Sequence, residues 1–167
     1  MEIVEHLLDI SGIGRNRMQL RWVSSAEGPL FADYMTQFSE QTKELGPFDP
    51  EQFKLPLAAI EQTLSSPRIR WLIGITRELT EIENVYHEKL EEKDYKRQLK
   101  QATEDEYHKA MIVEVLMKGP HSVHEMAKKI GLPVYTVSLR LNELEKHGQA
   151  ELTGYDGSTP KFIGLAV

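Results

Sequence analysis

The chain has 167 residues, of which 40% are apolar and 28% charged, and a formal charge of −6; this is the composition of a soluble globular protein holding one ordinary domain or two small ones. The acidic balance excludes a whole-molecule electrostatic grip on nucleic acid and leaves room only for a local basic patch. The lack of any cysteine excludes disulfides, thiolate-held iron–sulfur clusters, cysteine-based zinc sites and a cysteine nucleophile, while the absence of an apolar run near the roughly 20 residues that span a bilayer and of a basic start before Ile3-Val4 points to the cytoplasm.

Residues 1–48 read as helix, strand, helix. Ile3, Val4, Leu7 and Leu8 share one helical face, and Ser11-Gly12-Ile13-Gly14 ends that helix, because glycine past the last turn accepts the left-handed conformation. Over 18–24 the alternation of Met18, Leu20 and Trp22 against Gln19 and Arg21, with Val23 apolar on the second side, predicts a strand covered mainly on one face. Ser24 or Ser25 is placed to cap the next helix, with Glu27 near its positive end and Leu30, Phe31, Tyr34, Met35 and Phe38 as its stripe, until Leu45-Gly46-Pro47 ends it. A lone strand leaves its hydrogen-bonding groups unpaired, so a second copy of the chain or a partner protein is expected to complete it.

Residues 49–103 read as a helical connector. Leu55, Leu57, Ala58, Ile60 and Leu64 form a short apolar helix, and Ser66-Pro67 opens another over 68–79, which Asn84 closes off. From Glu91 the chain is rich in Glu and Lys, with Tyr95, Leu99 and Ala102 at helical spacing, and nothing forces a break before the final module.

Residues 104–167 read as a winged helix-turn-helix. Ala110, Ile112, Val113, Leu116 and Met117 supply the core face of its first helix, Val123, Met126, Ala127 and Ile130 that of its second, and Val137, Leu141 and Leu144 that of its third. Two short strands flank Asp156-Gly157-Ser158, whose Asp-Gly pair signals a hairpin, the wing. A DNA-reading module lays its third helix in the major groove with basic side chains on the phosphates. At about 100° per residue, however, the outward face carries Tyr135, Leu139, Asn142 and Lys146, with Glu143 beside them and Arg140 nearer the core. That face suits docking on a protein, where aromatic and aliphatic side chains anchor contacts. If DNA is the partner instead, Tyr135, Thr136, Ser138, Arg140 and Asn142, with Lys161 on the wing, are the residues to read it.

The run Leu7-Leu8-Asp9-Ile10-Ser11-Gly12-Ile13, the stretch from Met18 to Gly28 containing Leu20-Arg21-Trp22-Val23-Ser24-Ser25-Ala26-Glu27, then Phe31-Ala32 and Lys43-Glu44-Leu45-Gly46-Pro47, resemble the closing third of the iron–sulfur delta subunit of methyl-viologen-reducing hydrogenases. The resemblance implies a setting in an anaerobe's hydrogenase or heterodisulfide reductase complex, where that family passes electrons to the reductase's flavin subunit. The family's cluster-binding cysteines lie upstream of this region and have no counterpart here, so no metal ligand carries over and no cofactor is expected. What the resemblance leaves is a contact surface: a cofactor-free relic or split partner of an electron-transfer subunit, with Trp22, Phe31 and Tyr34 packed in its fragment.

Other motifs carry less. Gly12-Ile13-Gly14 has Arg17 where a dinucleotide fingerprint needs a third glycine, and it follows a helix rather than a strand. The helix start at Ser25-Ala26-Glu27-Gly28 would repel an anion through Glu27, and His121 with His124 lacks the further ligands of a metal site. Arg68, Arg70 and Arg77 around Trp71 are expected to pair with Glu78, Glu81 and Glu83. No nucleophile, acid–base pair or paired carboxylates stand out, so the chain is read as no enzyme. The expected fold is mostly helical α+β: an α-β-α fragment over 1–48, a helical connector over 49–103 and a winged helix over 104–167. The expected function is that of a non-catalytic accessory subunit of an oxidoreductase complex with a protein partner and no membrane, the alternative being a DNA-binding regulator of the same metabolism.

Overall fold

The computed structural model describes residues 1–165, and the chain divides into two compact units, Met1–Lys54 and Leu55–Val167. The described residues form eight α-helices and one two-stranded antiparallel sheet, a mostly helical α+β fold. Of the residues read as a connector, 49–54 belong to the first unit and 55–103 fold within the second.

In the first unit, α1 (Glu2–Ile10) buries Leu7 and ends where expected, with Gly12 at φ +76° and the Ser11 hydroxyl donating to the Leu8 carbonyl at 2.9 Å. A 3₁₀ turn follows (Arg15–Arg17), held by Asp9, which accepts from the Arg15 amide at 2.9 Å and from its guanidinium. Helix α2 spans Gly28–Leu45. Its cap is neither Ser24 nor Ser25 but Glu27, whose carboxylate turns back to accept from the Ser24 amide at 2.9 Å. The tight 24–27 turn moves the helix start downstream, and proline fits within the first turn because the amide hydrogen it lacks would have no helical acceptor there.

The expected strand over 18–24 is not formed. The backbone is extended, with Met18 at φ −138° and ψ 136°, but among the described residues no second strand lies beside it, and an unpaired strand has no ladder to define it. The alternation survives with its faces exchanged. Arg17 donates to the Leu45 and Gly46 carbonyls at 3.0 and 3.1 Å and stands over the Phe48 ring, Gln19 bonds the Gln41 side chain, and Arg21 lies 5.2 Å over the Tyr34 ring. The polar side thus lies on α2. Its terminal carbonyls have no helical partners and attract a cation, and a guanidinium gains from an aromatic face. On the apolar side Leu20 and Trp22 face out, 53% and 88% exposed, while Met18 is half-buried, and Phe31 is exposed as well. Trp22 and Phe31 are therefore not packed in the fragment.

The second unit is built on α6 (Glu92–Leu116), a single helix that runs unbroken from the charged stretch into the final module. Before it come α3 (Lys54–Ser65), α4 (Pro67–Gly74) and α5 (Thr76–Thr80); the single helix expected over 68–79 breaks at Ile75. Gly74 sits at that break, and the Tyr95 hydroxyl of α6 donates to the Leu72 carbonyl beside it at 2.9 Å. Glycine costs a helix about 1 kcal/mol relative to alanine. Tyr95, Ala102 and Thr103 on α6 and Ala59, Ile60 and Ile69 on the preceding helices are buried.

After α6 come α7 (Val123–Ile130), α8 (Val134–Lys146) and the hairpin β1 (Ala150–Asp156) and β2 (Thr159–Gly164). Serine at the start of α7 and Glu125 three residues on form a reciprocal capping box, and Gly131 closes the helix in the left-handed conformation. Ile112, Val115, Leu116, Met126, Val137, Leu141, Leu144 and Ala150 form one buried core, with Val123, Ile130 and Leu55 against it. Met117, expected in that core, lies past the helix end and is exposed. The hairpin turn is Gly157-Ser158, with Asp156 and Thr159 paired, so glycine takes the first central position with φ +61°. The other edge of β2 is bridged by His121, which exchanges two 2.9 Å backbone bonds with Phe162. Gly164 passes so close to α6 that a Cβ there would lie 3.3 Å from that of Leu116. Replacing Leu116, fully buried where α6 meets the hairpin, by alanine is expected to cost about 2–5 kcal/mol, read as a lower urea midpoint with an unchanged slope.

Candidate docking face

Helix α8 follows Pro133 and turns Val137, Leu141 and Leu144 into the core. The opposite side carries Tyr135, 77% exposed, and Leu139, 43% exposed, with Asn142 and Lys146 also in solvent. The structure thus brings these residues onto one open face at the spacing of successive helical turns. Val134 widens the apolar area at the helix start. Of the residues considered for reading DNA, Ser138 is exposed and Thr136 half-buried on the flank.

The cations considered for phosphate contact are held by carboxylates. The Arg140 guanidinium pairs with Asp105 of α6 and donates to Glu143 at 2.6 Å, its side chain only 14% exposed and its Nε buried. The Lys161 ammonium donates to both oxygens of Glu125 at 2.7 Å and lies 3.8 Å from Asp156. The other basic residues of α7 and α8, Lys128, Lys129 and Lys146, are exposed in the last turns of their helices, where they answer the negative helix ends.

Glu125 is the residue that sequence reasoning missed. It accepts from the Ser122 amide at 2.7 Å, closes the capping box and holds the hairpin through Lys161. The Ser-x-x-Glu spacing was the available signal. The Lys161 ammonium, then the Ser122 amide and hydroxyl, hold its carboxyl down to about 2. Glu143, three residues on from Arg140 in the same helix, was readable as its partner, whereas Asp105 gave no such signal, because it stands 35 residues away in the chain.

A cleft of about 730 Å³ opens between the α3–α4 turn, α6 and α8. At its centre Glu106 accepts from Lys109 at 2.6 Å, the Ser66 hydroxyl at 3.1 Å and Arg68 at 3.3 Å. Burial pushes this carboxyl up, but those three donors outweigh it and hold it below its ordinary value. Ser66 stands at the α4 cap position and spends its hydroxyl on Glu106 instead of the helix. Arg68 and Lys109 both pair with Glu106, and Glu143 is taken by Arg140, so these charges lining the cleft serve as internal links. Arg77 pairs with Glu81 at 2.9 Å, as the sequence suggested, whereas Arg68 reaches α6.

Residues 1–46 match the methyl-viologen-reducing hydrogenase delta-subunit family. An iron-sulfur subunit of the F420-non-reducing hydrogenase of Archaeoglobus profundus is 39% identical over 51 residues, which are 30% of this chain and 37% of that protein. The chain therefore spans little more than a third of that relative's length. No solved structure matches the chain significantly. The donor set does not fit an iron–sulfur cluster: the chain has no cysteine, and among the described residues no three His, Asp or Glu side chains stand together as metal ligands. Nor is any described helix long and apolar enough to cross a membrane.

Because the folded Glu125 carboxyl lies below its ordinary 4.5, its contribution to stability is complete above that pH and is lost as pH falls toward about 2. Glu125→Gln should lower the melting temperature at pH 7, and its gap from the parent protein should narrow steadily between pH 4.5 and 2. A gap constant over that range would mean the carboxylate contributes no charge-dependent stability.

Proposed function

We propose that this chain is a cofactor-free accessory subunit of a hydrogenase or heterodisulfide-reductase-type electron-transfer complex, and that its C-terminal part is a winged helix used to dock on protein. The observation that carries the reading is the match of residues 1–46 to the hydrogenase delta-subunit family. The relative's name describes an iron–sulfur subunit; with no cysteine of its own, this chain would contribute contacts to such an assembly and leave the electron carriers to other subunits.

The docking face supports the second half of the proposal. Tyr135 and Leu139 offer exposed aromatic and aliphatic area of the kind that dominates binding energy at protein interfaces. Arg140 and Lys161, whose charges would drive phosphate binding, are engaged with Asp105, Glu143 and Glu125.

Co-expression with the hydrogenase and heterodisulfide reductase subunits of its own organism should give a complex of fixed stoichiometry. Leu139→Glu should keep the circular dichroism of the parent chain and weaken that association at least tenfold, about 1.4 kcal/mol. Full association by the variant would remove α8 from the interface. A chain that joins no such subunit and instead binds duplex DNA would overturn the proposal in favour of a winged-helix regulator reading DNA with Tyr135, Ser138 and Asn142.

A further inference from the structure

The cleft beside Glu106 holds about 730 Å³, within the roughly 300–1,000 Å³ of small-molecule sites. Its floor is apolar, built from Pro67, Ala110, Val113 and Leu144. Its charges are balanced. Two cations, Arg68 and Lys109, are matched by two carboxylates, Glu106 and Glu143, and each of the four has a partner within the chain. An ionic ligand therefore meets no excess of the opposite sign.

The polar groups left over are neutral. Gln62 lines the cleft from α3, and its Oε1 is buried with no donor to accept from. Gln149 lines it from the far side, between α8 and β1, and among the described residues its side-chain amide makes no hydrogen bond. His147 donates from Nδ1 to the Glu143 carbonyl at 2.7 Å, which leaves Nε2 as an acceptor. A buried acceptor without a donor costs stability, and folded chains keep few of them. The Gln62 amide is thus a polar group on this cleft that the fold itself does not use.

We infer that the cleft binds an adenine ring carried by an uncharged compound such as adenosine. A primary carboxamide presents a donor and an acceptor side by side. Adenine complements that pair on two edges, because its exocyclic amine donates beside ring nitrogen N1 on one edge and beside N7 on the other. Gln62 and Gln149 read one edge each, the soft terminal torsion of glutamine letting each amide turn onto the ring. Guanine offers two acceptors, O6 and N7, on the second edge and so satisfies one glutamine only. The ring covers the apolar floor. A phosphate on the ligand gains nothing, since the cations are already engaged and Glu106 and Glu143 repel it. The inference does not rest on the docking proposal, because Tyr135 and Leu139 lie on the side of α8 opposite Leu144.

Isothermal titration of the full-length protein with adenosine is the test. Adenosine should bind saturably, and guanosine and adenosine 5′-monophosphate should each bind at least tenfold more weakly. Gln62→Leu should weaken adenosine binding at least tenfold and, because it removes a buried unpaired oxygen, should melt no lower than the parent chain. Gln149→Leu should weaken binding to a similar degree with unchanged circular dichroism. A glutamine kept for the fold alone would instead lower the melting temperature on replacement and leave adenosine binding as it was. That result, the lack of saturation by adenosine at millimolar concentration, or tighter binding of the monophosphate than of adenosine would overturn the inference.

Discussion

Two neighbouring carboxylates on α6, Asp105 and Glu106, hold the second unit together from opposite directions. Asp105 takes Arg140 and so fixes α8, while Glu106 takes Ser66, Arg68 and Lys109 and so fixes the turn between α3 and α4. Both side chains are mostly buried, 14% and 13% exposed. Charges held that far from water need partners, and removing one partner strands the other. One turn of a single helix therefore joins the helices that precede it to the module that follows, which is why most of the residues expected to form a separate connector fold as part of this unit.

The same links shape the surface. Holding α8 by its arginine and the hairpin by its lysine takes up two of the charges that a nucleic acid would otherwise meet, and Tyr135 and Leu139 stand on the open face of the helix beside Asn142 and Lys146. In the first unit a comparable exchange occurs. Arg17 and Arg21 are drawn to the end of α2 and to the Tyr34 ring, and Leu20 and Trp22 are turned outward as a result. In each unit, internal use of cations leaves apolar side chains on the surface, and contiguous exposed apolar groups favour association with protein.

Much of the local structure was legible in the sequence because it depends on neighbours within a turn or two. The phase of α8 placed Val137, Leu141 and Leu144 inward, and the end of α1 and the hairpin about Gly157 followed from glycine's tolerance of positive φ. Misreadings arose where distant residues decide. Period-two alternation over 18–24 marks two faces but cannot tell which is covered; that choice belongs to partners on α2 and at Gly46, more than ten residues away. The break at Ile75 and the capture of Arg140 by Asp105 likewise depend on competition between local preference and contacts formed only in the folded chain, whereas the α2 cap at Glu27 was decided locally, by the turn it makes with Ser24.

The central claim is that Arg140 of α8 and Lys161 of the hairpin are committed internally and so are withheld from phosphate. A fluorescence anisotropy titration of the full chain against a generic labelled duplex, at low and at physiological salt, tests it most directly. Non-specific DNA binders show dissociation constants of about 10⁻⁴ to 10⁻⁶ M at physiological salt, tightening steeply as salt falls. The account predicts flat curves at both salts. Saturable, salt-sensitive binding in or below that range would contradict it.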